Sequence, residues 1–206
     1  MRILPDRREL TDEMIIGPTE PGQLLERVER FRRTAEYRRL HPGGMAEALA
    51  SLRAGAGDTP VFFDGLRGEA EVRFALRYSG VRFVELSAPD DVRVRRLLGR
   101  ADDFDGPLVT IDAHDSTDAW ELLDNIDGIR EVFAPIQLER LASLSKQGFS
   151  SADIAAKAGI VVAERRNYDP AAASAILATL PEQRALRLDS SVLAATQVSQ
   201  AVLAWL

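Results

Sequence analysis

Short apolar runs of strand length alternate along this chain with one-sided helical patterns, and that alternation limits the possible folds more than any other feature. Val61-Phe62-Phe63 follows Asp58-Thr59-Pro60 and stops at Asp64-Gly65, which reads as a buried strand entering a turn. Val81 to Leu86, Ile160-Val161-Val162 and Ala185 to Leu188 read as three more strands, and Ile3-Leu4 as a short fifth. Helices are predicted between them. Glu69 to Tyr78 carries Val72, Ala75 and Leu76 on one side, and Asp90 to Leu98 opens after Pro89 with two acids that complement the helix dipole. Asp118 to Asn125, Gln137 to Lys146 and Ala171 to Leu180 follow, and a last helix, Val192 to Leu206, is capped by Ser190 or Ser191. Strand then helix, repeated, predicts an α/β layer structure on a mostly parallel sheet, whose ligands gather at the carboxyl ends of the strands.

A length of 206 residues predicts a single domain with a real core. The 26 basic and 32 acidic residues give a net charge of −6, which argues against a broad nucleic-acid footprint but leaves room for a small anion at clustered arginines. Without cysteine there are no disulfides, thiolate metal sites or cysteine nucleophiles. His41 and His114 stand far apart, which disfavours a histidine metal site or a Ser/His triad. No segment approaches the ~18 apolar residues of a membrane span, and the charged start (Arg2, Asp6, Arg7, Arg8, Glu9) lacks the apolar stretch of a signal peptide. A soluble, cytoplasmic protein without membrane partners is expected. The turn-rich stretch Gly99 to Ser116 reads as a surface loop or lid.

Two segments carry candidate chemistry. The strand over Val61-Phe62-Phe63 delivers Asp64 to the binding edge, where a carboxylate can hold Mg²⁺ beside a nucleotide's phosphates; Asp64-Gly65 reads equally as a plain turn. On the Asp90 helix, Arg93, Arg96 and Arg100 are spaced three and then four apart and share one face. Such guanidiniums can clamp phosphoryl oxygens, or simply form a solvated face at a helix C-terminus.

The order of these pieces resembles a family. Val61-Phe62-Phe63-Asp64-Gly65-Leu66-Arg67, then Val84-Glu85-Leu86-Ser87-Ala88-Pro89, then the arginine-rich helix and Arg100-Ala101-Asp102-Asp103, are similar to the P-loop kinase-like ATPases related to adenylate and dephospho-coenzyme A kinases. Gly159 to Asn167 resembles that group's last core strand and base-contacting loop, and Leu186-Arg187-Leu188-Asp189-Ser190-Ser191 its usual ending. The resemblance covers about residues 60 to 104 and 158 to 206 and implies a three-layer α/β/α fold, with residues 106 to 157 as a helical lid or insertion. It implies Mg²⁺-ATP-dependent phosphoryl transfer to a small molecule. Asp64 would support Mg²⁺, Arg67 would orient the acceptor, and Arg96 and Arg100 would stabilise the migrating group. Arg165 and Asn167 would line the base pocket. Asp6 and Arg7 are weaker acceptor-site candidates, which read more readily as a charged helix start.

One departure dominates. The family's phosphate grip is G-x-x-x-x-G-K-[ST], with backbone amides cradling the phosphates and lysine on the β and γ oxygens. The only lysines here are Lys146, after Ser145, and Lys157, after Ala156, so neither belongs to such a motif. Gly55-Ala56-Gly57 is too short, and His41-Pro42-Gly43-Gly44 reads as a helix-breaking turn or an anion nest. The expectation is a kinase-like chain lacking the first strand, P-loop and first helix, without ATP turnover of its own; a non-catalytic regulatory or protein-binding module is the alternative. A further alternative is DNA binding, because Gln147 to Ile160 looks like the start of a helix-turn-helix with its turn at Gly159.

Overall fold

The computed structural model describes residues 2–17, 27–51, 61–99 and 118–206, with the backbone alone for 27–31. In chain order the elements are β1 (Arg2–Ile3), α1 (Arg7–Thr11), α2 (Arg27–Leu40), α3 (Gly44–Ala50), β2 (Val61–Phe62), α4 (Gly68–Ala75), β3 (Phe83–Ser87) and α5 (Asp90–Leu98). Then come α6 (Ala119–Asp124), α7 (Ile129–Val132), α8 (Pro135–Ala142), α9 (Ser151–Asn167), α10 (Pro170–Leu177), β4 (Ala185–Asp189) and α11 (Ala195–Trp205). A π-helical turn, Asp12–Ile16, extends α1, and a 3₁₀ turn, Ser143–Gln147, extends α8. This is a mixed α/β chain with its strands in two parallel pairs. Arg2 lies opposite Val61 and Ile3 opposite Phe62 in the first. The second, β3 with β4, is bonded from Phe83 N to Arg184 O (2.8 Å) at one end and from Ser190 N to Ser87 O (2.9 Å) at the other.

The chain divides into two compact units, one of residues 1–83 and 169–185, the other of 84–168 and 186–206. In the first unit, α4 packs against α3 and α10. Its apolar stripe, Val72 and Ala75, meets Ala46, Ala173 and Leu177, while Leu10, Met45 and Ala48 form a second cluster. In the second unit, α9 is the central helix and packs against α5, α6, α7 and α8. Phe133, Leu123, Leu141, Val94, Ile154 and Val161 are buried there almost completely.

Most elements lie where the sequence puts them, and three do not. Ile160-Val161-Val162 is helix, not strand. Ser150 caps α9 through Asp153 N, and from there Ile154, Ala158, Val161 and Val162 recur at helical spacing on the buried face. The β-branched run therefore extends a stripe already begun, and burial outweighs its modest strand preference. Gly159 sits inside the same continuous helix, so the turn of a helix-turn-helix is absent. The last helix starts after Ala194, later than a Ser190 or Ser191 cap: Gln197 Oε1 reaches back to Ala194 N (2.8 Å), while Ser191 is bound by Asp189. Of the stretch read as a surface loop or lid, Gly99 to Ser116, only Gly99 lies among the described residues.

Because Gly159 is mid-helix and a Cβ there meets nothing within 4 Å, Gly159→Ala is expected to stabilise the protein by about 0.5–1 kcal/mol in urea unfolding. A destabilising effect would indicate a turn at this position.

Candidate functional site

Both strands of the first pair run the same way, so their carboxyl ends lie together and two chain segments leave from one edge. After β1 comes Leu4-Pro5-Asp6, where Asp6 caps α1 by accepting from Glu9 N (2.8 Å). After β2 comes Phe63-Asp64-Gly65-Leu66-Arg67, leading into α4. Gly65 has φ +136° and a Cβ on it would stand 2.9 Å from Arg7 Cβ, so this turn takes glycine for both backbone and space.

The two segments are tied by one buried carboxylate. Glu71, in the first turn of α4, is 2% exposed. Its oxygens accept from both terminal nitrogens of Arg7 (2.7 and 2.6 Å), from Arg67 N (2.8 Å) and from Met45 N at the start of α3 (3.2 Å). Arg7 also donates to Gly65 O. A bidentate guanidinium with two amides satisfies the buried acid, the condition under which such a charge is tolerated. Asp6 thus caps α1, as a charged helix start would, while Arg7 is an internal lock, a role in neither of its sequence readings.

Asp64 and Arg67 remain at the edge, and both are exposed. Among the described residues, the Asp64 carboxylate has no hydrogen-bond or ion-pair partner. No group of three histidines, aspartates or glutamates able to hold a metal occurs among them. One exposed carboxylate fits Mg²⁺ of the kind completed by water and phosphate oxygens, not a cage of protein ligands.

The other proposed groups lie in the second unit and have partners there. Arg93 pairs with Asp90 (3.0 Å) and with Glu164, whereas Arg96 donates to the hydroxyl (3.0 Å) and carbonyl of Ser190. Two arginines expected on one phosphate-facing surface thus bind two different elements. Arg100 lies outside the described residues. Arg165 and Asn167 end α9 instead of forming a loop after a strand. Arg165 binds Asp90 (2.8 and 3.0 Å), and Asn167 Nδ2 donates to Ala163 O (2.8 Å) one turn back.

The sequence reading missed Glu71, whose partner Arg7 is 64 residues away, and the polar cluster before α3. There His41 stacks on Tyr37 at 4.4 Å, and its Nδ1 lies 3.0 Å from Glu47 Oε1. Glu47 Oε2 accepts from Gly43 N (3.1 Å). In the His41-Pro42-Gly43-Gly44 turn, Gly43 N is therefore bound by Glu47 and Gly44 N by His41 O (2.8 Å), and the next amide, Met45 N, by Glu71, so the amides of the nest are already bound within the chain. The hydrogen bond from His41, with Gly43 N and the charges of His41 and Arg77, holds Glu47 below its ordinary value of 4.5. Partial burial, and then Glu47, push the Tyr37 hydroxyl upward.

Compared with family models, with characterised proteins and with solved structures, the chain has no match.

A depressed carboxyl pKa stabilises the fold above the unfolded value and loses that contribution as pH falls through the folded one. The stability difference between the wild type and Glu47→Gln should therefore be full above pH 4.5 and shrink as pH drops below it. Parallel urea titrations of the two proteins across that range check this; a difference independent of pH would contradict it.

Proposed function

We propose that this chain is a kinase-like, nucleotide-binding protein whose ligand edge is the carboxyl end of the β1–β2 pair, and that it does not turn over ATP alone. The observation carrying this reading is the unpartnered Asp64 carboxylate, delivered by a parallel strand to the edge where such sheets take ligands. Arg67, three residues on, supplies positive charge at the same edge. The locked Arg7–Glu71 pair fixes the backbone between them.

Asp64 suits Mg²⁺, and the metal would there shield phosphate charge on a bound nucleotide. The residues do not suit the tight phosphate grip of an active kinase. The Gly43 and Gly44 amides are taken by Glu47 and by His41 O, Lys157 is buried in α9, and Lys146 lies in the 3₁₀ turn after α8. Phosphoryl transfer depends mostly on positioning and electrostatics, so weak binding without turnover is what these residues support. Phosphoryl transfer to a small molecule, with the roles given above to Arg67, Arg96 and Arg100 and with Arg165 and Asn167 at the base, belongs to the resemblance. So does the three-layer P-loop architecture, supported by the parallel pairing of the strands and weakened by the helical 160–162 segment.

A second reading, a non-catalytic protein-binding module, is favoured by α11. Residues 190–206 hold no charged side chain, and Val192, Leu203 and Leu206 are exposed.

Calorimetry with Mg²⁺ and ADP, alongside a phosphate-release assay, tests the proposal. Weak Mg²⁺-dependent binding is expected, reduced about ten-fold by Asp64→Asn, a loss of ~1.4 kcal/mol, with no ATP hydrolysis. Binding indifferent to Asp64→Asn would remove the β1–β2 edge as the site, and Mg²⁺-dependent hydrolysis abolished by that substitution would overturn the absence of turnover.

A further inference from the structure

The Arg7–Glu71 pair reaches both ends of the segment that carries the ligand groups of the β1–β2 edge. Arg7 donates to Gly65 O, and Arg67 N donates to Glu71 Oε2 (2.8 Å), so one ion pair holds the backbone on either side of Leu66. Asp64 immediately precedes the first anchor, and Arg67 is the second. A turn built on Gly65 has many backbone conformations to lose, so ordering it is costly unless something already holds it. Here the ion pair holds it.

The two oxygens of Glu71 serve different elements. Oε2 accepts from Arg67 N and from one Arg7 nitrogen (2.7 Å), on the side of the edge. Oε1 accepts from the other Arg7 nitrogen (2.6 Å) and from Met45 N (3.2 Å), at the start of α3. A carboxylate is planar and rigid, so a movement that tightens the contacts of one oxygen carries the other with it. The Met45 bond is the longest of the four and exceeds the ~2.9–3.0 Å usual for N–H···O, which leaves it room to shorten.

We propose that the Arg7–Glu71 pair is a ligand-linked clasp: it positions Asp64 for a metal–nucleotide complex, and binding there is transmitted to the start of α3. This rests on the reading of the β1–β2 edge as a nucleotide site. With the clasp closed, the turn is ordered before the ligand arrives; with it open, binding must also order the turn, and affinity falls. Linkage makes the effect mutual, because the factor by which the clasp raises affinity is the factor by which ligand favours the closed clasp. The side chains of Arg7 and Glu71 are only 15% and 3% exposed, so both are positioning residues that act through Asp64.

Calorimetry with Mg²⁺ and ADP on the full chain and its variants, with amide NMR on the wild type, tests this. Arg7→Lys keeps a positive charge beside Glu71 but not the fork that reaches Gly65 O and both carboxylate oxygens together. It should weaken binding about five-fold, the low end of measured couplings between sites, with an unchanged circular dichroism spectrum; Glu71→Gln should do the same. In an Asp64→Asn chain, Arg7→Lys should add less than about two-fold, since the group it positions is already gone, whereas a merely structural loss would weaken both backgrounds equally. In the wild type, saturation with Mg²⁺ and ADP should move the Met45 amide proton downfield as its bond shortens, a readout that needs no variant to fold. Wild-type affinity in folded Arg7→Lys and Glu71→Gln, an equal loss with and without Asp64, or a Met45 amide that does not move would each overturn the clasp. Binding that Asp64→Asn lowers but Arg7→Lys leaves alone removes the clasp and keeps the nucleotide reading, while a wild type that does not bind Mg²⁺ and ADP removes both.

Discussion

The arrangement of the first unit hangs on one buried ion pair. Without Arg7, Glu71 would be a costly charge so far from water, and Gly65 O would lose its donor as well. Together with the amides of Arg67 and Met45 they join α1, the turn after β2, the start of α4 and the start of α3. A carboxylate that accepts four hydrogen bonds in low-dielectric surroundings specifies one arrangement of those segments, because any shift leaves a polar group unsatisfied. Gly44, with φ +52°, stands where any side chain would collide with Glu71 Oε1 at 2.6 Å. Pinning the turn leaves Asp64 facing outward at the strand edge.

The second unit repeats the device with different residues. Asp90 and Asp91 begin α5, are each nearly buried, and point to different neighbours: Asp90 to Arg93 and Arg165, Asp91 to Gln137 and Arg140. One helix N-terminus is thereby anchored to α9 and to α8. The scarcity of lysine fits this use, since guanidinium forks hold carboxylates in directions an ammonium does not. Part of the arginine excess that drew attention to phosphate chemistry is thus spent on internal pairs.

Elements with a local signature were legible in the sequence. Pro89 with two acids marked α5, Asp169-Pro170 marked α10, and Val61-Phe62 with Asp64-Gly65 marked β2 and its turn, because caps, prolines and turn glycines act within a few residues. Ile160-Val161-Val162 misled because three β-branched or apolar residues fit strand and helix alike, and only the stripe begun at Ile154 separates them. The Asp64 edge was legible as a strand end. Glu71 was not, since nothing near Arg67 signals a partner at Arg7, and neither did the spacing of Arg93 and Arg96 reveal that Glu164 and Ser190 would engage them.

A double-mutant cycle on Arg7 and Glu71, read by urea unfolding, tests the central claim most directly. Arg7→Ala alone should cost about 3–5 kcal/mol by stranding a buried carboxylate, and Arg7→Met combined with Glu71→Leu should cost much less than the two single changes added together. Single costs within the ~1 kcal/mol of an exposed pair, or costs that simply add, would contradict the account.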